Sequence, residues 1–499
     1  MSLRTNRRFR IRAVVGVTLA AGLAAATATA AMAAMAGGPA ARSASASASA
    51  SVTVGTGQSH SLSPSYFGVA FDYGGGSIYP NPGTTGYPAA ADTQLAALSP
   101  ATVRWPAGTS ANYWHWTKGQ PVGDPYMTPN PTPDFHTYLS SLVKAYAQTK
   151  VPPVFVLNVM TSSLSDQKAM LAQAGTDGLP IDYVELGNEL DLCFNADYAK
   201  AFPTGTDYGT NVVGPWSLAL HNLYPNLQIA AVAGYEDPAT ACVRDRTWNL
   251  DTQNAVAATV AAGTGREPDA YVEHVHPTYP DALTATNVGD FLAGPDNWPA
   301  MVQKTAAQSD FPLPKPIWLT EVSFSLSDTF TDPPQDTYGV ALYNSSLLMQ
   351  LAAGATATDM AEFWSSFGSE NSFAYTADPE NNVPLALTPD GLATQWLNRA
   401  AIKATTVTPL TFTGGPTIGT GSPGLIGVSF SGGGTTHVIL LNLSNAPVRL
   451  PVGGPVLGGT YQQVSGDPTT VAQSAAALHP TTVSASGTLT LPAYSISEI

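Results

Sequence analysis

Positive charge is scarce in this 499-residue chain: 20 Lys and Arg stand against 35 Asp and Glu, for a formal net charge of −15. Such a surface repels polyanions, so nucleic acid is excluded as a partner, and no basic groove suited to a sulfated polysaccharide is expected. Charged residues of either sign make up only 11% of the chain, as in many exported proteins. Cysteine is almost absent. Cys193 and Cys242 are the only two, which excludes a disulfide-dense scaffold but allows one bridge worth about 2–4 kcal/mol, or two buried thiols. Long apolar runs are missing beyond the first forty residues, so no membrane contact is expected once that leader is removed.

The leader itself begins MSLRTNRRFRIR, with five arginines and no acid, and continues from Ala13 as an Ala/Val/Leu run. It ends in small-residue triplets at Ala31-Met32-Ala33 and Ala34-Met35-Ala36, the pattern of a secretory signal peptide over residues 1–36. Arg7-Arg8 hints at twin-arginine export, and the lack of a nearby Cys speaks against a lipoprotein. Residues 37–51 are dominated by a Ser-Ala repeat and are expected to form a disordered linker. A secreted, extracellular protein follows, with a mature net charge of −20 once the five leader arginines are removed.

From residue 52 to 403 short apolar runs alternate with helical patterns. Strands are expected at Tyr66–Phe71, Thr102–Trp105, Pro153–Asn158, Tyr183–Leu186, Gln228–Ala233, Ala270–Val275, Ile317–Thr320 and Asp359–Trp364. Helices are expected at Asp92–Leu98, Phe135–Thr149, Ser165–Ala174 with Ser165 as cap, Trp216–Leu223, Thr252–Ala262, a segment ending near Gln308, Tyr338–Ala353 and Asp390–Ala400. Runs too continuous for half-exposed strands suit a parallel sheet buried on both faces. Eight strand–helix pairs make a (β/α)8 TIM barrel, with its active site at the carboxyl ends of the strands. Residues 404–499 change to alternating runs between Gly/Pro/Ser turns, an all-β antiparallel sandwich. Residues 52–62 also alternate and are expected to pair with that domain.

Two carboxylates end two of these strands. Ile181 to Leu192 (IDYVELGNELDL) delivers Glu189 after the fourth strand, and Pro316 to Phe324 (PIWLTEVSF) delivers Glu321 after the seventh. Glycosidic-bond cleavage needs such a pair, one to protonate the leaving oxygen and one to attack the anomeric carbon or activate water. Asn188-Glu189 and Thr320-Glu321 resemble the paired motifs of clan A retaining glycoside hydrolases. The accompanying β-domain makes the chain similar to glycoside hydrolase family 79, which holds heparanases and β-glucuronidases.

That resemblance implies a double displacement on a carbohydrate substrate, with Glu189 as acid/base, Glu321 as nucleophile and no cofactor. It further implies that Arg104 holds Glu321 ionised, that Asn188 contacts the sugar 2-hydroxyl, and that Trp364 stacks on the sugar. Either His276 or Tyr279 is expected to touch the nucleophile. The second loop, RWPAGTSANYWHW from Arg104 to Trp116, is rich in aromatics, half sugar-binding and half packing, and is similar to the RxPxG segment of arabinofuranosidases in the same clan. The loop after Glu321, VSFSLSDTF, lacks the Tyr/Gly pattern that binds glucuronate in family 79. An arabinofuranosidase or xylosidase acting on neutral sugars is therefore the alternative, followed by a non-catalytic carbohydrate-binding protein. His274-x-His276 could ligate a metal from one strand face, but no complementary His/Asp set appears on other strands, so no metal is expected.

Overall fold

The computed structural model describes residues 52–72, 89–123, 138–193, 195–234, 243–277, 279, 282–306, 315–324, 337–364, 367–368, 375–378, 383–471 and 474–499. The expected signal peptide, the Ser-Ala linker and Cys242 lie outside them.

Eight parallel strands close on themselves: Phe67–Asp72, Val103–Ala107, Pro153–Val156, Tyr183–Leu186, Gln228–Val232, Ala270–Val275, Ile317–Val322 and Thr358–Phe363. The ring shuts where Ala361 of the eighth pairs with Phe67 of the first. Every residue of the third and seventh strands is buried, which is why these runs carry no polar alternation. Outward residues such as Phe155, Val184 and Ile229 join the large core beneath the helices. Inward residues Val154, Ala230, Ala270, Val272, Trp318 and Met360 fill the barrel, with Tyr183 edge-on to Trp318.

The helices depart from expectation mainly at their ends. The third runs Leu164–Thr176 and is capped by Ser163, not Ser165: the Ser163 hydroxyl accepts from the Asp166 amide. A cap belongs to the residue whose oxygen reaches the third amide onward, and Ser163 stands at that offset. The helix expected at Thr252–Ala262 begins nine residues earlier, as Val243–Ala261. A small sheet of Phe367–Gly368, Tyr375–Asp378 and Val383–Leu387 intervenes before the last helix, Pro389–Ala401. Among the described residues no helix is long and apolar enough to cross a membrane.

The C-terminal sheet runs in the order Thr53–Thr56, Thr406–Thr413, Leu425–Gly432, Thr435–Asn442, Ser495–Glu498, Gly459–Ser465, Thr481–Ala485. Its first member comes from before the barrel, pairing antiparallel so that Thr53 faces Thr413. Both faces of this sheet are covered. Val438 and Leu440 point to a second core with Leu450, Leu489 and Leu491, while Ile439 and Leu441 belong to the core that continues into the barrel. Phe430 meets Phe67 of the first barrel strand edge-on at 5.9 Å. The β-domain thus braces the barrel flank through shared apolar burial.

Candidate active site

Toward the carboxyl ends of several strands the barrel interior turns polar. Arg104, Glu185 and Glu362, from the second, fourth and eighth strands, are each 0% exposed. Burial of a charge is tolerable only with close partners, and Arg104 has three. Its Nε donates to Glu185 Oε2 at 2.9 Å, Nη1 to Glu321 Oε1 at 2.5 Å and Nη2 to Asn188 Oδ1 at 2.8 Å. Burial works against its charge, but the Glu185 and Glu321 carboxylates outweigh that and raise its pKa further.

Backbone irregularities aim the two glutamates. Along the seventh strand the pairing slips by one residue on both sides near Thr320, so that His274 faces Glu321 rather than Thr320. A bulge of this kind turns the next side chain out of the strand's regular alternation. After the fourth strand, Gly187 takes φ +97°, where a Cβ would stand 2.6 Å from Leu190 Cδ1. Glu189 itself sits at φ +48°, a left-handed conformation costing a non-glycine residue roughly 1–3 kcal/mol. Asn112 in the second loop holds this turn, its Nδ2 donating to the Asn188 carbonyl at 2.7 Å while its Oδ1 accepts the Asn188 amide at 3.0 Å. Cys193, at the end of the same turn, is disulfide-bonded.

The result is a compact cluster at the barrel mouth. His274 Nδ1 lies 3.0 Å from Glu189 Oε1 and 3.6 Å from Glu321 Oε2, between the two carboxylates. His276 Nε2 donates to Glu321 Oε2 at 3.2 Å, and its Nδ1 faces the Ser323 carbonyl at 3.4 Å. With an acceptor at each ring nitrogen, the doubly protonated ring is favoured: burial lowers the His276 pKa, but Glu321 overrides it and the net direction is up. Glu321 shows the converse. Burial would raise its carboxyl, yet His274, Arg104 and His276 together bring it down to about 2. Its side chain is 5% exposed and that of Glu189 24%, so the ionised group lies deep and its counterpart meets solvent. Glu362 beneath them is pushed well above the carboxylate range by burial, despite a 2.6 Å hydrogen bond from Thr102 Oγ1.

No sequence-family profile and no curated protein matches this chain. Solved structures do. A family 51 α-L-arabinofuranosidase from Bifidobacterium longum superposes with a TM-score of 0.68 at 16% identity, over 90% of this chain and 98% of that one. An α-L-arabinofuranosidase from Thermotoga maritima gives 0.64 at 15%, covering 90% and 100%. A 4-O-α-L-rhamnosyl-β-D-glucuronidase from Fusarium oxysporum gives 0.60 at 14%, covering 90% and 99%. At such identities the likeness is one of fold: a TIM barrel carrying a C-terminal β-domain.

Of the residues singled out in the sequence, Arg104, Asn188, Glu189, His276 and Glu321 converge. Trp364 is half-buried at the end of the eighth strand, edge-on to His276 at 6.2 Å. Tyr279's ring packs edge-on to Phe291 at 5.2 Å, and it is His276 that holds a contact with Glu321. The second loop's aromatics are mostly packing: Trp105 and Trp114 bury against each other with centroids 4.5 Å apart, and Trp116 donates to Asp166. Sequence reasoning missed Glu185, Glu362, Asn112 and the bridging position of His274. Glu185 carried a signal as the one charged residue of its strand, and Glu362 as one placed between apolar neighbours. The expected absence of a metal set also needs correction. Glu189, His274, His276 and Glu321 each offer a ligand atom, all within 4.8 Å of one another: Glu321 on the adjacent seventh strand and Glu189 beyond the end of the fourth complete the His-x-His pair.

Proposed function

We propose that this chain is an exported retaining glycoside hydrolase of clan A acting on a neutral furanoside or pentoside, with an α-L-arabinofuranoside as the leading substrate. The observation that carries it is the carboxylate pair at the ends of the fourth and seventh strands, with oxygens within 4.8 Å of each other. Retaining enzymes hold their carboxyl groups about 5–5.5 Å apart, whereas inverting ones need about 6.5–9.5 Å to admit a water. Glu321, ionised and braced by Arg104, attacks the anomeric carbon as the glycosidic bond breaks. Glu189, more exposed, gives its proton to the departing oxygen. Glu189 then takes a proton from the water that displaces Glu321 from the glycosyl ester, restoring both groups. Asn188, with its carbonyl oxygen fixed by Arg104, keeps its amide N–H groups on the sugar side near Glu189, where a 2-hydroxyl can accept one.

The arabinofuranosidases named above superpose somewhat better than the glucuronidase, and they are described as acting on arabinofuranosides. A uronic acid would need donors for its carboxylate, and Arg104 is fully engaged by Glu185, Glu321 and Asn188. A β-glucuronidase remains the second reading, supported by the Fusarium enzyme's coverage of 90% of this chain. The test is hydrolysis of an aryl glycoside panel by the mature chain, with proton NMR of the first product. Release from the arabinofuranoside with retained configuration supports the proposal. Release from the glucuronide alone moves the substrate to the second reading, and an inverted product overturns the mechanism.

A further inference from the structure

We propose that Glu189, His274, His276 and Glu321 also form a binding site for a zinc-like divalent cation, and that this cation closes the catalytic centre reversibly. Zinc takes imidazole nitrogens and carboxylate oxygens tetrahedrally at about 2.0–2.2 Å, which sets ligand atoms about 3.4 Å apart. Three of the six separations already stand near that value: 3.0 Å from His274 Nδ1 to Glu189 Oε1, 3.6 Å from the same nitrogen to Glu321 Oε2, and 3.2 Å from His276 Nε2 to Glu321 Oε2. The rest fall within 4.8 Å, so shifts on the order of 1 Å among the four side chains close the set.

The atoms facing the centre are the ones left over from other work. Glu321 gives Oε1 to Arg104 and keeps Oε2; Glu189 receives Asn188 Nδ2 on Oε2 and keeps Oε1. His276 Nδ1 is turned to the Ser323 carbonyl, leaving Nε2 to exchange its proton for a metal. Partners of this kind orient ligands and raise their basicity. Two nitrogens and two oxygens suit zinc, and they are a poor match for magnesium or calcium, which require six or more oxygens. A cation there covers the oxygen that attacks and the oxygen that carries the proton, so its effect is competitive with substrate. That effect rests on the glycosidase reading; the binding does not.

The test is calorimetric titration of zinc chloride, with magnesium chloride as control, into the chelator-treated mature chain and into His274→Gln and His276→Gln. One zinc per wild-type chain is expected, with binding weakened at least by the roughly 10- to 100-fold that loss of an outer partner costs. Should a histidine variant fail to fold, Glu189→Gln, at the more exposed of the two carboxylates, carries the same comparison. No binding, or binding that none of the substitutions weakens, overturns the site. In parallel, zinc should raise KM for the aryl glycoside without lowering kcat, with EDTA restoring the original value. Turnover that requires zinc overturns the inhibitory role. Zinc binding without turnover of any glycoside leaves the site standing and removes the glycosidase.

Discussion

Replacing His276 by leucine isolates what keeps Glu321 ionised. Burial pushes the Glu321 carboxyl up, and His274, Arg104 and His276 bring it from the ordinary 4.5 to about 2. His276 contributes both a hydrogen bond and a charge at 3.2 Å. A hydrogen bond to a charged group is worth about 1.5–3 kcal/mol, and one pH unit corresponds to about 1.4 kcal/mol. His276→Leu should therefore move the acid limb of kcat/KM up from about 2 to between about 3 and 4. At pH 3 the variant should lose roughly fourfold beyond whatever it loses at pH 6. The same shift links to stability. A depressed carboxyl stabilises the fold fully above about 4.5 and ceases to do so as pH falls through about 2, a contribution on the order of 3 kcal/mol. The variant's melting-temperature deficit should consequently shrink as pH falls toward 2. The assay is a pH–rate profile on an aryl arabinofuranoside, with circular dichroism at each pH to verify folding. An acid limb that coincides with the wild type would show that His276 does not govern Glu321, and the electrostatic account of the site would fail.

Three further outcomes follow from the surrounding shell. Asn112→Ala removes both bonds that hold the Asn188 backbone and orphans two buried groups; unfolding free energy should fall by about 2–5 kcal/mol in a urea titration, with kcat falling more than KM rises. Glu362→Gln replaces a carboxyl that burial drives well above its usual range. Because the folded state disfavours its charge, wild type loses stability as pH rises above the ordinary carboxylate range. The Gln variant's urea midpoint should match wild type near pH 4 and exceed it at pH 8, and equal offsets at both would contradict the assignment. Gly187→Ala forces a Cβ to within 2.6 Å of Leu190 at φ +97° and should destabilise by more than about 1 kcal/mol; a melting temperature equal to wild type would remove the strain argument.

The barrel was legible because parallel strands buried on both faces leave uninterrupted apolar runs, and because Glu189 and Glu321 end two of them. Arg104 was singled out only through the family resemblance, since one arginine near a strand says nothing of the carboxylates it meets. The second loop could be divided only in outline, because an aromatic ring has the same composition whether it meets a sugar or another ring; packing shows that Trp105 and Trp114 cover each other. His274 stayed hidden because its role depends on a register slip in the neighbouring strand, and local patterns do not encode slips. Glu185 and Glu362 were visible as anomalies, but their partners lie on distant strands. The Ser163 cap differs from expectation by two residues, within the span over which several Ser and Asp side chains compete for the same amides.

The strand Thr53–Thr56 is synthesised first among the described elements, yet its partner Thr406–Thr413 emerges only after the whole barrel. Closing a loop of that length costs about 5 kcal/mol of chain entropy, so the pairing forms late and in one step with the sheet it completes. Until then the N-terminal segment is an unpaired edge, open to misdirected pairing. It also means that the barrel cannot be excised cleanly: a cut before Thr406 strands the opening residues, and a cut after Ser61 exposes an edge on the remaining sheet. Both ends of the barrel are tied through one seam, so the two domains fold as one unit.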